Sequence, residues 1–186
     1  MFEIVKKLMM ARQLSMEEGR LILLNQNILM MPVAGLVGIQ KELEKDGKEN
    51  LIYVASKKTG VWWAEQMRRY FGAKKMDLEK WGINVISLAG YGRPRVIDID
   101  HENKRMIQEL ENSTVAEEYG NVGKCVDHMF RGYIAGVARL FFEGSDVDCV
   151  EILCKSKGDK ICQFVIKPKK DFDQNNVLVK KQLEGI

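Results

Sequence analysis

The chain is poor in the residues and patterns that mark most function classes. Of its 186 residues three are proline and two are histidine, and it has four cysteines and no C-x-x-C pair. That number and spacing of thiols exclude a fold built on disulfides. The longest apolar run, Ile28–Ile39, is broken by Pro32, Gly35 and Gly38, far short of the ~20 residues of a spanning helix. The opening text MFEIVKKLMMARQLSMEEG lacks the basic segment, long apolar core and small-residue cleavage site of a secretory leader. A cytoplasmic protein with reduced thiols is expected. Charge of one sign is also missing: 29 Lys and Arg face 26 Asp and Glu, a formal net charge of +3. The electrostatic ground for nucleic-acid binding is therefore absent. Gly35-x-x-Gly38 and Gly90-Tyr91-Gly92 lack the strand-to-helix setting and Lys-Ser/Thr of a phosphate loop. With His101 in the polar turn 100–103, a Ser-His-Asp arrangement has little to draw on.

What is present is a chain that is 46% hydrophobic with ten methionines, enough for one core and an adaptable apolar surface. Apolar spacing predicts helices over Phe2–Gln13, Val33–Lys45, Leu51–Phe71, Met76–Trp81 and Val122–Phe142. Strands are predicted over Arg20–Leu24 and Ile28–Met31, split by an Asn25-Gln26-Asn27 turn, and over Asn84–Leu88, Arg95–Ile99 and Arg105–Leu110. Two more, Val147–Leu153 and Ile161–Ile166, flank the turn Lys155–Lys160. Val177–Leu183 reads as a last helical turn or a loose tail. Gly60, Gly132 and Gly136 thin helix surfaces where something approaches closely. The expected fold is α+β, with helices on one face of a mostly antiparallel sheet. Its parts are an N-terminal helix (1–16), a single domain (17–167) and a polar C-terminal tail (168–186).

The chemistry gathers in residues 124–166, which hold all four cysteines and His128. Glu151, Cys154 and Cys162 flank a turn, and carboxylate and thiolate both suit the tetrahedral zinc ion. A fourth ligand would come from Cys125, Asp127 or His128. A regular strand sends Glu151 and Cys154 to opposite faces, so the strand must end or twist near Leu153 for both to bind. On residue type alone the cysteines read equally as small buried apolar strand residues. Trp62, Trp63, Tyr70 and Phe71 form an aromatic patch at helical spacing, which suits a core or a ligand wall.

Three runs together resemble the 4-vinyl reductase domain. They are Glu111-Asn112-Ser113…Ala116-Glu117-Glu118-Tyr119-Gly120, then Val126-x-His128-x-x-Arg131-Gly132-Tyr133-x-Ala135-Gly136, then Glu151-x-x-Cys154-x-x-x-Gly158-Asp159-x-x-Cys162-x-Phe164. The resemblance spans Glu17–Lys167 and is nearest to the stand-alone, archaeal-type form. It implies the helix-on-sheet fold shared with transport-particle subunits, a homodimer, and a cavity for a small hydrophobic or aromatic molecule. Trp62, Met129, Tyr133 and Val137 are the expected ligand contacts. In the phenol-sensing relatives a helix Cys and a Glu-x-x-Cys…Cys hairpin hold structural zinc, which implies Glu151, Cys154 and Cys162 here. The helix position falls on Asp127 when aligned through Gly132-Tyr133-x-x-Gly136, and on His128 when counted back from the hairpin. Those side chains leave a helix about 100° apart, so one of them completes the site. The alternatives are a reductase acting on a tetrapyrrole vinyl group, as the family name suggests, and a tethering or adaptor dimer.

Overall fold

A computed structural model describes residues 2–10, 12–71, 83 and 86–186. The expected helix Met76–Trp81 and the side chains of Tyr70 and Phe71 lie outside the described residues. After helix α1 (Phe2–Met10) comes a small antiparallel meander of β1 (Leu14–Glu17), β2 (Arg20–Leu23) and β3 (Gln26–Ile28). Its turns fall at Glu18-Gly19 and Leu24-Asn25, all four with positive φ (49°, 78°, 49° and 61°). That is the two-residue hairpin geometry whose twist matches the flanking strands. The second turn therefore sits one to two residues before the expected one, and Gln26 and Asn27 pair in β3. Leu24 tolerates its φ because the side chain is buried in the core.

Two helices follow, α2 (Val33–Lys45) and the long α3 (Asn50–Phe71). The second sheet contains β4 (Arg93–Asp100), β5 (Arg105–Glu111), β6 (Asp148–Leu153) and β7 (Cys162–Lys167), in antiparallel order β4-β5-β7-β6. Between β5 and β6 lie a short helix α4 (Thr114–Tyr119) and the central helix α5 (His128–Val137). The fold is α+β, as the patterning implies.

Two expectations need correction. Ile83 and Ile86–Leu88 are helical rather than β, with Asn84 and Val85 outside the described residues. Ser87 Oγ donates to the Ile83 carbonyl and Tyr91 N–H to the Ile86 carbonyl, both helix-closing bonds. A short apolar run carries no period that separates strand from helix. The central helix also starts at His128, six residues later than expected. Gly123 has φ +71°, and the N–H groups of Val122 and Gly123 both donate to the Ser156 carbonyl at 2.8 Å. The segment before the helix is thus tied across to the hairpin.

Helices α3 and α5 cross at their glycines. A Cβ on Gly60 would fall on the Tyr133 carbonyl oxygen, one on Gly132 on that of Tyr53, and one on Gly136 on that of Lys57. The close approach foreseen at each glycine is the approach of the other helix. Beneath α5, Met106, Leu110, Cys149, Phe164 and Ile166 line the core face of the sheet. Val150 and Val165 face the other way, where Phe172, Val179 and Leu183 cover them. Residues 177–183 form helix α6, whose apolar side docks there. The fully buried Arg131 joins these layers: its guanidinium donates to the Cys149 carbonyl (2.8 Å) and the Gln182 carbonyl (3.0 Å) and stacks on the Tyr53 ring.

The crossing gives a direct test. Gly60→Ala and Gly132→Ala force backbone apart and are expected to cost about 3 kcal/mol in urea unfolding. Gly38→Ala, inside α2 with nothing within 4 Å of its Cβ, is expected to be neutral or stabilising by up to ~1 kcal/mol.

Candidate functional site

Four acidic side chains converge under the start of α5. The ligand atoms of Asp127, Glu151, Cys154 and Cys162 all lie within 4.8 Å of one another, and all four residues are buried. Each arrives for a local reason. Asp127 is the residue before the first turn of α5, with φ −80° and ψ 45°, and its side chain makes no capping bond to that helix. It accepts instead from Ser113 Oγ at 2.7 Å. Ser113 itself caps α4 by accepting from Ala116 N–H.

Glu151 and Cys154 reach the same side through an irregularity in β6. The register against β7 shifts between Glu151 and Leu153, so one extra residue cancels the alternation that would have separated them. The strand then ends, Cys154 opens a 3₁₀ turn, and Gly158 with φ +104° reverses the chain. Asp159 accepts from Cys154 N–H at 2.9 Å, and Lys155 N–H donates to Cys162 Sγ at 3.4 Å. On its outer side the Glu151 backbone is clasped by the Gln182 amide, which donates to its carbonyl (2.8 Å) and accepts from its N–H (2.9 Å).

The electrostatics of this pocket are one-sided. Glu151 Oε2 accepts from Asp127 N–H at 3.1 Å, while Glu151 Oε1 and Asp127 Oδ2 are buried with no partner. Burial, followed by the charge on Cys154, pushes the Asp127 carboxyl up to about 6. Burial and then the Asp127 charge hold Glu151 well above the carboxylate range. Cys154 carries the charge most readily, because the thiols of Cys125 and Cys162 both donate to it. Buried acids without a counter-charge are costly unless they hold protons or a cation. Two carboxylates and two thiols are a zinc donor set, and a tetrahedral ion would draw them to about 3.3–3.8 Å of one another. The residues present fit such an ion after a contraction of about one ångström.

His128 stands outside this group. Its Nε2 lies 4.0 Å from Glu44 Oε1, and its Nδ1 is buried without a partner. Burial, then Arg131 and Lys124, hold the imidazole down at about 3, so it is neutral. Between the two helix candidates, the structure brings Asp127 to the hairpin and turns His128 toward α2.

Met129, Tyr133 and Val137 recur every four residues and form a half-buried stripe on α5. Trp62 on α3 is half-buried, edge-on to Trp63 at 5.5 Å. Tyr133 stacks on Tyr91 at 6.1 Å, and Tyr91 also meets Phe130 at 5.6 Å. An open cleft of about 630 Å³ is lined by Ile83, Ser87, Gly90, Gly92, Arg93, Pro94, Asn112 and Thr114. None of the four expected ligand residues lines it, but Tyr91 lies between two of its glycines and touches Tyr133. Tyr91, Ser113 and Gln182 were not singled out from sequence. Only Ser113 had a local signal, a serine at a helix start.

Residues 106–168 match the 4-vinyl reductase domain family. No curated protein matches the chain. Among solved structures, it aligns with the phenol-responsive sensory domain of the transcription activator PoxR, in complex with phenol. The TM-score is 0.74 at 22% identity, covering 92% of each chain. A vinyl-4-reductase family protein from Methanocaldococcus jannaschii aligns with TM-score 0.51 at 18% identity, over 76% of this chain and 83% of that one. A trafficking protein particle complex subunit 3 from Naegleria fowleri, covalently bound to palmitic acid, gives 0.45 at 10% identity, over 73% and 93%. The region matched by the family contains β5 through β7 and all four clustered side chains.

The carboxyl shifts set a pH dependence for metal-free protein. A carboxyl raised in the folded state keeps its proton there longer than in the unfolded chain. The stability this confers is complete below the unfolded value and lost as pH rises through the folded one. Metal-stripped protein is therefore expected to lose resistance to urea as pH rises from about 4 to about 6. Asp127→Asn should flatten that decline, as read from denaturation midpoints across the range.

Proposed function

We propose that this protein is a sensing domain of the 4-vinyl reductase type for a small hydrophobic or aromatic molecule, with structural zinc on Asp127, Glu151, Cys154 and Cys162. The observation that carries the reading is the buried, uncompensated acid cluster pinning the last hairpin to the start of α5, the helix that also bears the Met129–Tyr133–Val137 stripe. Four protein donors leave no open position on a tetrahedral ion, which is the arrangement of a structural and not a catalytic zinc. Zinc there would supply the missing positive charge and fix the hairpin against the helix. The likeness to a sensory domain that responds to phenol supports an aromatic ligand. Trp62 and the stripe on α5 supply its apolar wall, and the Tyr91–Tyr133 stack sets one edge.

The same reading includes a cytoplasmic homodimer. Leu29 (85% exposed), Met30 (77%) and Met10 (76%) leave apolar side chains on the N-terminal elements uncovered. A second copy covering them would remove that surface from water. Leu29→Lys with Met30→Lys is expected to convert a dimer to a monomer in sedimentation analysis.

Metal analysis and phenol binding test the core of the proposal. One zinc per chain is expected, lost in Cys154→Ser, and its removal should lower the melting temperature by on the order of 10 °C. Phenol should alter tryptophan fluorescence, and Tyr133→Ala should weaken its binding by about tenfold, the equivalent of 1.4 kcal/mol. Metal-free protein with no phenol response would overturn the assignment.

A further inference from the structure

Cys125 belongs to no donor set described so far. It lies two residues before Asp127 and is half-buried, whereas Cys149, Cys154 and Cys162 are buried. Its thiol donates to the Glu151 carbonyl at 3.4 Å. The same thiol lies in hydrogen-bonding contact with Cys154 Sγ. Cys154 Sγ also takes the backbone N–H of Val126, so the peptide that follows Cys125 is laid directly across that sulfur. Sulfurs in contact, on backbones held together at the adjoining residue, meet the main demand of a disulfide, which tolerates little separation between its two Cβ atoms.

We propose that Cys125 and Cys154 are a redox pair that a hydroperoxide converts to a disulfide, withdrawing one sulfur from the acid cluster. Cys125 is the sulfur nearest solvent and meets the oxidant first. It attacks a peroxide oxygen; the O–O bond breaks, the sulfur becomes a sulfenic acid, and the displaced oxygen leaves as water with the thiol proton. The Cys154 thiolate then attacks the Cys125 sulfur. The S–S bond forms, the S–O bond breaks, and hydroxide leaves as water after taking up a proton. Two thiols and one hydrogen peroxide give one disulfide and two waters, the sulfurs losing the two electrons that the peroxide gains.

The consequence for metal rests on the zinc reading above. A disulfide sulfur carries no charge and is no longer a thiolate donor, so Asp127, Glu151 and Cys162 remain as a set of three. Zinc leaves, and the hairpin loses its anchor to α5. Cys162 also hydrogen-bonds to Cys154, which makes a Cys154–Cys162 bond the competing product. The exposure of Cys125 favours the first pairing.

The experiment uses the whole chain as purified, its zinc measured beforehand, and hydrogen peroxide as the oxidant. Free thiols are expected to fall from the four of the sequence to two. Non-reducing peptide mapping should find Cys125 joined to Cys154, and dithiothreitol should reverse the change. Zinc release, followed with a chromogenic chelator, should share the time course of the disulfide. Cys125→Ser and Cys125→Ala should hold the wild-type amount of zinc and release it at least tenfold more slowly. A Cys154–Cys162 product, over-oxidation of Cys125 without a cross-link, or equally fast release from both variants would overturn the proposal. If the protein carries no zinc at the outset, the structural zinc assignment fails, while the cross-link still decides the redox pair.

Discussion

The structure depends on a buried concentration of negative charge that nothing in the protein neutralises. Asp127, Glu151, Cys154 and Cys162 come from two separate stretches of chain, and each is fixed by bonds that have no use for the others' charge. Ser113 orients one carboxylate, Gln182 grips the backbone of the second, and the turn through Gly158 places the two thiols. The surroundings thus hold the acids together against their own repulsion. In a core that could have been filled with apolar side chains at lower cost, this arrangement makes sense as preorganisation for a cation. The two carboxylate oxygens left without partners are the mark of it.

The height of that cluster within the molecule is set by packing. Gly60, Gly132 and Gly136 let α3 and α5 meet backbone to backbone, so α5 cannot slide or roll without a collision. Asp127 at its start and the Met129–Tyr133–Val137 stripe along its side are therefore carried by one rigid element. Arg131 adds a link from the same helix to β6 and α6, and Gln182 on α6 returns the link to Glu151. The closed loop α5–Arg131–α6–Gln182–Glu151 makes the position of the hairpin sensitive to the position of the helix.

Much of this was legible in the residues, and the parts that were not share a cause. Glu151-x-x-Cys154…Cys162 named the hairpin half of the site, and strand parity required an irregularity near Leu153, where the register in fact shifts. The three glycines marked a close approach, although nothing local could say that they approached each other. The choice between Asp127 and His128 turned on where α5 begins. That was fixed by two bonds from Val122 and Gly123 to the distant Ser156 carbonyl, which no window of sequence displays. Helix α6 was hidden in the same way: Phe172, Val179 and Leu183 are scattered through polar text and become an apolar face only against Val150 and Val165.

Ligand stripe and acid cluster share α5, and this bears on what the site can do. A molecule wedged beside Tyr133 would have to displace either the ring of Tyr91, on the loop before β4, or the helix itself. The glycine crossing resists movement of the helix, so the strain passes first to Tyr91 and to the edge of the neighbouring cleft. What strain α5 does take up reaches Asp127 at one end and, through Arg131, α6 at the other. A cation bridging Asp127 to the hairpin would stiffen the first route and leave the second as the softer one. The loss of that bridge, whether by protonation, chelation or a Cys125–Cys154 bond, would free the hairpin to move with the helix. Metal state would then govern how far a binding event at the stripe is felt beyond α5.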